Sequence, residues 1–300
     1  MKKSVKIALI LALILILVGG LLFVGASTEA HWDFESLKLE SFEMNKYSPQ
    51  QPIKSIVVET DTARVFLQPS QDGAVQVKCY EHMRAKHMVS AEGETLSIQL
   101  QDTRKWYDHI GISLQTPEIT IYLPKEEYDT LAVRTTTGNT TINKDLEFQK
   151  IEIHQSTGGV RCDASATEQM KIRTRTGEIY LKDSKVGALE LEVSTGDVTL
   201  ENIRCNTLES KGSTGDVTLK NTVADGLLSV KRSTGRVRLW DSDAAEIFVK
   251  TETGDVRGTL LTEKIFFAKT DTGSVRVPES MQGGKCKIIT DTGDIDMEYK

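Results

Sequence analysis

Ser194-Thr195-Gly196-Asp197-Val198-Thr199-Leu200 reads STGDVTL, and the same seven letters return at Ser213–Leu219, nineteen residues later. Its glycine belongs to a series, Gly138, Gly158, Gly177, Gly196, Gly215, Gly235, Gly254, Gly273 and Gly293, spaced by 19 or 20 residues. So constant a period signals stacked supersecondary units, none of which can bury its apolar face alone. Two and four residues after the glycine stand pairs such as Ile179/Leu181, Val198/Leu200, Val217/Leu219 and Val237/Leu239. Seven and five residues before it stand Ile151/Ile153, Met170/Ile172, Leu189/Leu191 and Leu228/Val230. Alternation by two means that one strand face points inward on each side of the glycine. The inward parity is odd before the glycine and even after it, so the chain changes phase at every Thr-Gly step. Glycine allows the backbone that such a corner needs.

The expected fold is therefore all-β. It is a β-solenoid, read as a right-handed parallel β-helix from the usual handedness of crossovers, with 19–20 residues per coil. Antiparallel stacking of hairpins stays open on period alone. An earlier degenerate unit, Ile56–Leu67, fits the same columns with Ala63 in place of glycine. The expected organisation is an anchor over 1–28, an acidic stalk over 29–52, an N-terminal cap with the degenerate unit over 53–130, and solenoid repeats over 131–300. The chain stops three residues past the last buried column. The Gly293 unit is thus expected to form an uncapped end, blunted by Asp294, Asp296, Glu298 and Lys300.

At the N-terminus Lys2, Lys3 and Lys6 precede 22 uncharged, mostly apolar residues, Ile7–Thr28. A helix of that length spans a hydrocarbon core of roughly 30 Å. The positive-inside bias then predicts a single-pass protein with a cytoplasmic N-terminus and an extracellular remainder. A cleaved signal peptide ending near Val24-Gly25-Ala26 is the competing expectation.

The net charge of −6 argues against nucleic acid as a partner. No hydrolase, zinc-protease or phosphate-loop motif occurs, and no cofactor is implied. Cys79, His82 and His87 have no standard metal spacing. Cys162 and Cys286 replace aliphatic residues in inward columns and read as small buried hydrophobes, whereas Cys205 falls in a connector.

One exposed pattern suggests binding. Four residues before the glycine stand Arg173, Lys211, Lys231, Lys250 and Lys269, and three after it stand Arg238, Arg257 and Arg276. Like charges on adjacent strands repel, so a retained ladder suggests contact with an anionic partner. Acids on neighbouring columns, such as Glu190, Glu209, Asp271 and Asp291, are the opposing reading, because they would neutralise it.

The hydrophobic N-terminus, the run PEITIYLPKEEYDTLAVRTTTGNTTI and the S/T-T-G-D-V-x-L units together resemble the "putative adhesin" family of bacterial surface proteins over residues 53–300. The resemblance implies a β-strand-repeat, β-solenoid ectodomain with no known enzymatic activity. It also implies a link to the cell envelope, and no functional residues to carry over. The functional expectation is a non-enzymatic, adhesin-like interaction module, engaging anionic cell-wall polymer, lipid head groups or a membrane protein. The alternatives are an envelope-stress regulator acting through a membrane partner and a carbohydrate-active β-helix enzyme.

Overall fold

The computed structural model describes residues 3–29, 42–104 and 115–300. Its helix, Lys3–Glu29, lies in one compact unit and the strands in another.

The strand unit is a stack of coils, each named below by its corner glycine. A coil holds a long strand such as Lys185–Thr195, the corner at Gly196, and a short strand such as Val198–Glu201. Equivalent strands pair in parallel from coil to coil: Leu189 lies beside Leu208, and Val198 beside Val217. The antiparallel alternative is thereby removed for the repeats. The inward columns are closed to solvent, with Ile172, Leu181, Val198, Leu200, Val230 and Leu239 all at 0–2 % exposure.

Each corner glycine has a positive φ, 143° at Gly196. A Cβ there would meet the carbonyl oxygen of Gly177 at 2.0 Å. The glycines form a column because successive corners nest at that distance. A second corner recurs six residues later, where Asp183, Asn202, Asn221 and Asp241 adopt φ between 46° and 57°. Asn and Asp tolerate the left-handed region better than other side chains. Their side chains also link coils, with Asn202 donating to Asp183 at 2.6 Å and Asn221 donating to Asn202 at 2.9 Å.

Coil order along the stack departs from chain order at both ends. The long strand of the Gly254 coil is flanked on its far side by the Gly293 coil, with Val249 beside Ile288. The Gly273 coil then lies outside the Gly293 coil, with Ala268 beside Ile288. So the outermost coil is Gly273 rather than the expected Gly293, and the final segment is enclosed. At the other end, Ser55–Thr60 is sandwiched between Thr95–Asp102 and Glu127–Thr137. At the C-terminal end the chain overshoots by one coil and fills the gap with its last segment, whereas at the N-terminal end the first strand of the stack is enclosed by two strands that follow it in the chain. In each case the enclosed strand has neighbours on both edges and leaves no backbone groups unpaired.

The N-terminal end is closed by antiparallel strands. Gln76–His82 pairs with Glu118–Leu123, and Ala85–Glu92 pairs with Thr95–Asp102. Within the stretch expected as a stalk, Phe42–Tyr47 is a strand paired antiparallel with Gln76–His82. The rest of that stretch lies mostly outside the described residues.

The membrane expectation is corrected. Among the described residues, no helix is long and apolar enough to cross a membrane. The single-pass placement, and the cytoplasmic–extracellular orientation built on it, are therefore set aside.

Candidate functional site

The Asp that follows the corner glycine serves the backbone. Asp197 accepts from the Asp216 amide at 2.8 Å, and Asp216 accepts from the Arg236 amide at 2.9 Å. Each carboxylate thus caps the next coil, as turn chemistry leads one to expect. Burial opposes charge on Asp216, but hydrogen bonds from the Arg236 amide and guanidinium hold its carboxyl below the usual range.

The arginines three residues past the corner are held by acids. Arg238 pairs with Asp216 at 3.1 Å, and Arg257 with Asp255 at 3.0 Å. Coil inversion places Asp296 between Arg257 and Arg276, and Arg276 reaches it at 3.6 Å. This column carries no surplus of positive charge.

The other column lies on the outward face of the long strands. Arg173 pairs with Glu192 at 3.0 Å, Lys211 with Glu209 at 2.7 Å, and Lys269 with Asp271 at 2.9 Å. Among the described residues Lys231 and Lys250 form no ion pair, and Lys231 lies 5.6 Å over the ring of Phe248. Lys211, Lys231 and Lys250 are direct neighbours in register. Ile289 then separates Lys250 from Lys269, because the Gly293 coil is inserted between theirs. The ladder is thus neutralised in the first coils, unpaired in the middle of its later half and interrupted near the end.

Two lysines were missed by sequence reasoning. Lys285 and Lys287 belong to the last unit, and the inversion sets Lys287 directly between Phe248 and Phe267. Their signal was present as the alternation Lys285-Cys286-Lys287-Ile288, but its neighbours follow only from coil order.

A groove of about 750 Å³ runs along the same face over the earlier coils, lined by residues including Glu59, Asp61, Arg134, Arg173, Arg175 and Glu192. Glu59 is tied to Arg134 at 3.2 Å, and Glu192 to Arg173. Acid–base glycoside chemistry uses two carboxyl groups placed across a bond. Here two of the three lining carboxylates already serve guanidinium groups.

The metal question resolves differently from the sequence pairing of His82 with His87. Cys79, Glu81 and His87 converge, all buried. Glu81 Oε2 receives His87 Nδ1 at 2.7 Å and the His87 amide, while Oε1 receives Asn45 at 2.8 Å. His87 Nε2 meets Thr60 Oγ1 at 2.9 Å. A nitrogen and an oxygen 2.7 Å apart share a proton; ligands about 2.0 Å from zinc in tetrahedral array stand further apart. The cluster is a satisfied hydrogen-bond network that ties the N-terminal strand and hairpin to the first coil. His82 is used locally, accepting from the Arg84 amide.

All four cysteines are free and buried. Burial pushes the thiols of Cys79, Cys162, Cys205 and Cys286 up to about 12, which keeps them protonated and unreactive. Cys205, expected in a connector, stands on the strand Arg204–Thr214.

The family model described as Toastrack DUF4097 matches residues 53–298. No curated protein sequence matches the chain significantly. A "putative adhesin" of Parabacteroides distasonis is similar in structure, with 12 % identity and TM-score 0.53, over 85 % of this chain and 97 % of that one. Another from Parabacteroides merdae has 9 % identity and TM-score 0.53, over 86 % and 96 %. A "putative lipid binding protein" of Parabacteroides distasonis has 14 % identity and TM-score 0.53, again over 86 % and 96 %. At such identities the likeness is one of fold.

Proposed function

The chain belongs to the Toastrack DUF4097 family, and from that premise we propose that it is a non-enzymatic, adhesin-like binding module for an anionic ligand. The observation that carries this reading is the run Lys211, Lys231 and Lys250, stacked in register on an open sheet face, the last two without carboxylate partners. Stacked like charges cost stability unless something offsets them. An anionic ligand laid along the column would do so. The names of the structural neighbours, adhesin and lipid-binding protein, are likewise those of binding proteins.

The test is retention of the purified chain on immobilised dextran sulfate over a salt gradient. The double variant Lys231→Glu, Lys250→Glu should bind at least about 25-fold more weakly, on the scale of about 1 kcal/mol per lysine near an anionic surface. The difference should shrink as salt shortens the screening length. Equal retention of variant and parent at low salt would overturn the reading.

A further inference from the structure

The outward face of the long strands changes character halfway along the stack. In the Gly158 to Gly215 coils, the two columns four and six residues before the corner hold Glu152/His154, Lys171/Arg173, Glu190/Glu192 and Glu209/Lys211. These charges are consumed by one another, through His154–Glu152 at 2.8 Å, Lys171–Glu190 at 3.3 Å, and the Arg173 and Lys211 pairs above. In the next four coils, taken in spatial order, the same columns hold Ser229/Lys231, Phe248/Lys250, Lys287/Ile289 and Phe267/Lys269. No carboxylate stands in them.

Rings occupy the places where acids stood. Lys231 and Lys287 approach the Phe248 ring from its two sides at 5.6 and 5.9 Å, and Lys285 lies 5.4 Å from the Phe267 ring. Lys231, Lys250, Lys285 and Lys287 form no ion pair among the described residues. Around them, in the column eight residues before the corner, Leu227 is 43 % and Ile265 37 % exposed, with Glu246 beside Leu227 as its one carboxylate, and Phe267 is 53 % exposed. Four coils at about 4.8 Å make a band about 14 Å long.

We propose that this lysine–phenylalanine band is a docking surface for an anionic phospholipid bilayer. It rests on the binding-module reading and names its ligand. Charge complementarity calls for an anionic partner, and the apolar component selects among anions. A dissolved polyanion would satisfy the ammonium groups and leave Phe267, Ile265 and Leu227 in water. A bilayer interface takes both, since lysine stems extend past apolar side chains to the phosphates while rings settle at the acyl boundary. The flatness of a sheet suits a planar surface. The inverted order of the last two coils sets the arrangement within the band: in chain order, Lys287 would flank Phe267 alone rather than lie between two phenylalanines.

The experiment uses the full chain with a nitroxide on Phe267→Cys, the four native thiols being buried. Vesicles of phosphatidylglycerol with phosphatidylcholine are compared with pure phosphatidylcholine. On anionic vesicles the nitroxide should gain accessibility to oxygen and lose it to a water-soluble nickel chelate. This readout reports the band alone, whatever the rest of the chain does on the vesicle. Each Lys→Gln change at 231, 250, 285 or 287 should lower the phosphatidylglycerol-dependent partition about fivefold. If Phe267→Cys fails to fold, a label on Lys250→Cys serves in its place. A label that stays water-accessible on anionic vesicles, or a quadruple Lys→Gln variant that partitions like its parent, overturns the lipid proposal. Retention on dextran sulfate with no docking to vesicles overturns the lipid and spares the binding module; loss of both overturns both.

Discussion

At the residue scale the corner glycine is the least replaceable position in each unit. Its φ lies in a region that side chains rarely adopt, and its missing Cβ is where the neighbouring carbonyl oxygen sits. Gly196→Ala should therefore destabilise the protein by about 3 kcal/mol or more, as expected when backbone strain and overlap combine. Chemical denaturation checks this, and a loss under 1 kcal/mol would contradict the nested-corner account. Asp197, next in sequence, is a cap rather than a ligand, so Asp197→Asn should be far milder, since the amide oxygen still accepts. Ser210 breaks the aliphatic column for a local reason. Arg232 is buried, donates to Ser210 at 3.0 Å, and lies where a side chain on Gly212 would be. Burial pushes its guanidinium down to about 10, with Asp197 acting in the opposite sense.

At the scale of elements, the N-terminal strands are fastened by one buried network. Burial alone would raise the Glu81 pKa, but hydrogen bonds from His87 and Asn45 outweigh it and the carboxyl titrates below its ordinary 4.5. A lowered folded-state pKa contributes stability above the unfolded value, and that contribution is lost as pH falls through the folded one. The thermal midpoint should thus fall on acidification below about pH 4.5. Glu81→Gln should lower the neutral-pH stability by about 2–3 kcal/mol, the scale of hydrogen bonds to a charged group, and should flatten part of the acid slope. Thermal scans of parent and variant from neutral to acid pH decide this. An unchanged slope in the variant would remove Glu81 from the account. The same strands show where sequence reading was thin: EHMRAKH pointed to two histidines, while the partner that matters is the acid between Tyr80 and His82. Strand alternation could have suggested this, since Cys79, Glu81 and Val77 share one side.

At the scale of the whole array, coil order governs what depends on what. The strands Lys264–Thr272 and Val275–Arg276 pair only with the final segment, Gly284–Tyr299. A chain ending at Gly283 should therefore be no more stable than one ending at Thr262, although it keeps 21 more residues. Hydrogen exchange should show those residues unprotected in the longer truncation. Protection at Phe266–Thr270 without the last coil would refute the enclosed-segment order. Lys264 reinforces this arrangement. It is buried against Asp243 at 2.6 Å, although the Gly293 coil lies between the strands that carry them. Breaking such a buried pair from one side is costly.

Composition and period determined a great deal unaided. Nine glycines at one spacing and two alternating columns on either side dictate stacked strands, because each coil must bury a face that only an equivalent coil can cover. The same columns place Cys162 and Cys286 in the core, and the Thr-Gly step at a corner. Less visible was the second corner, Asn202 and its equivalents, since a single polar residue in a varied connector carries little periodic signal. Coil order could not be read at all. Apolar columns are interchangeable between units, so Val249 accepts Ile288 as readily as Ala268, and periodicity is blind to the exchange. Tertiary structure alone made that choice. The choice also shaped both outward faces: it set Asp296 among the arginines of one and Lys287 between the phenylalanines of the other.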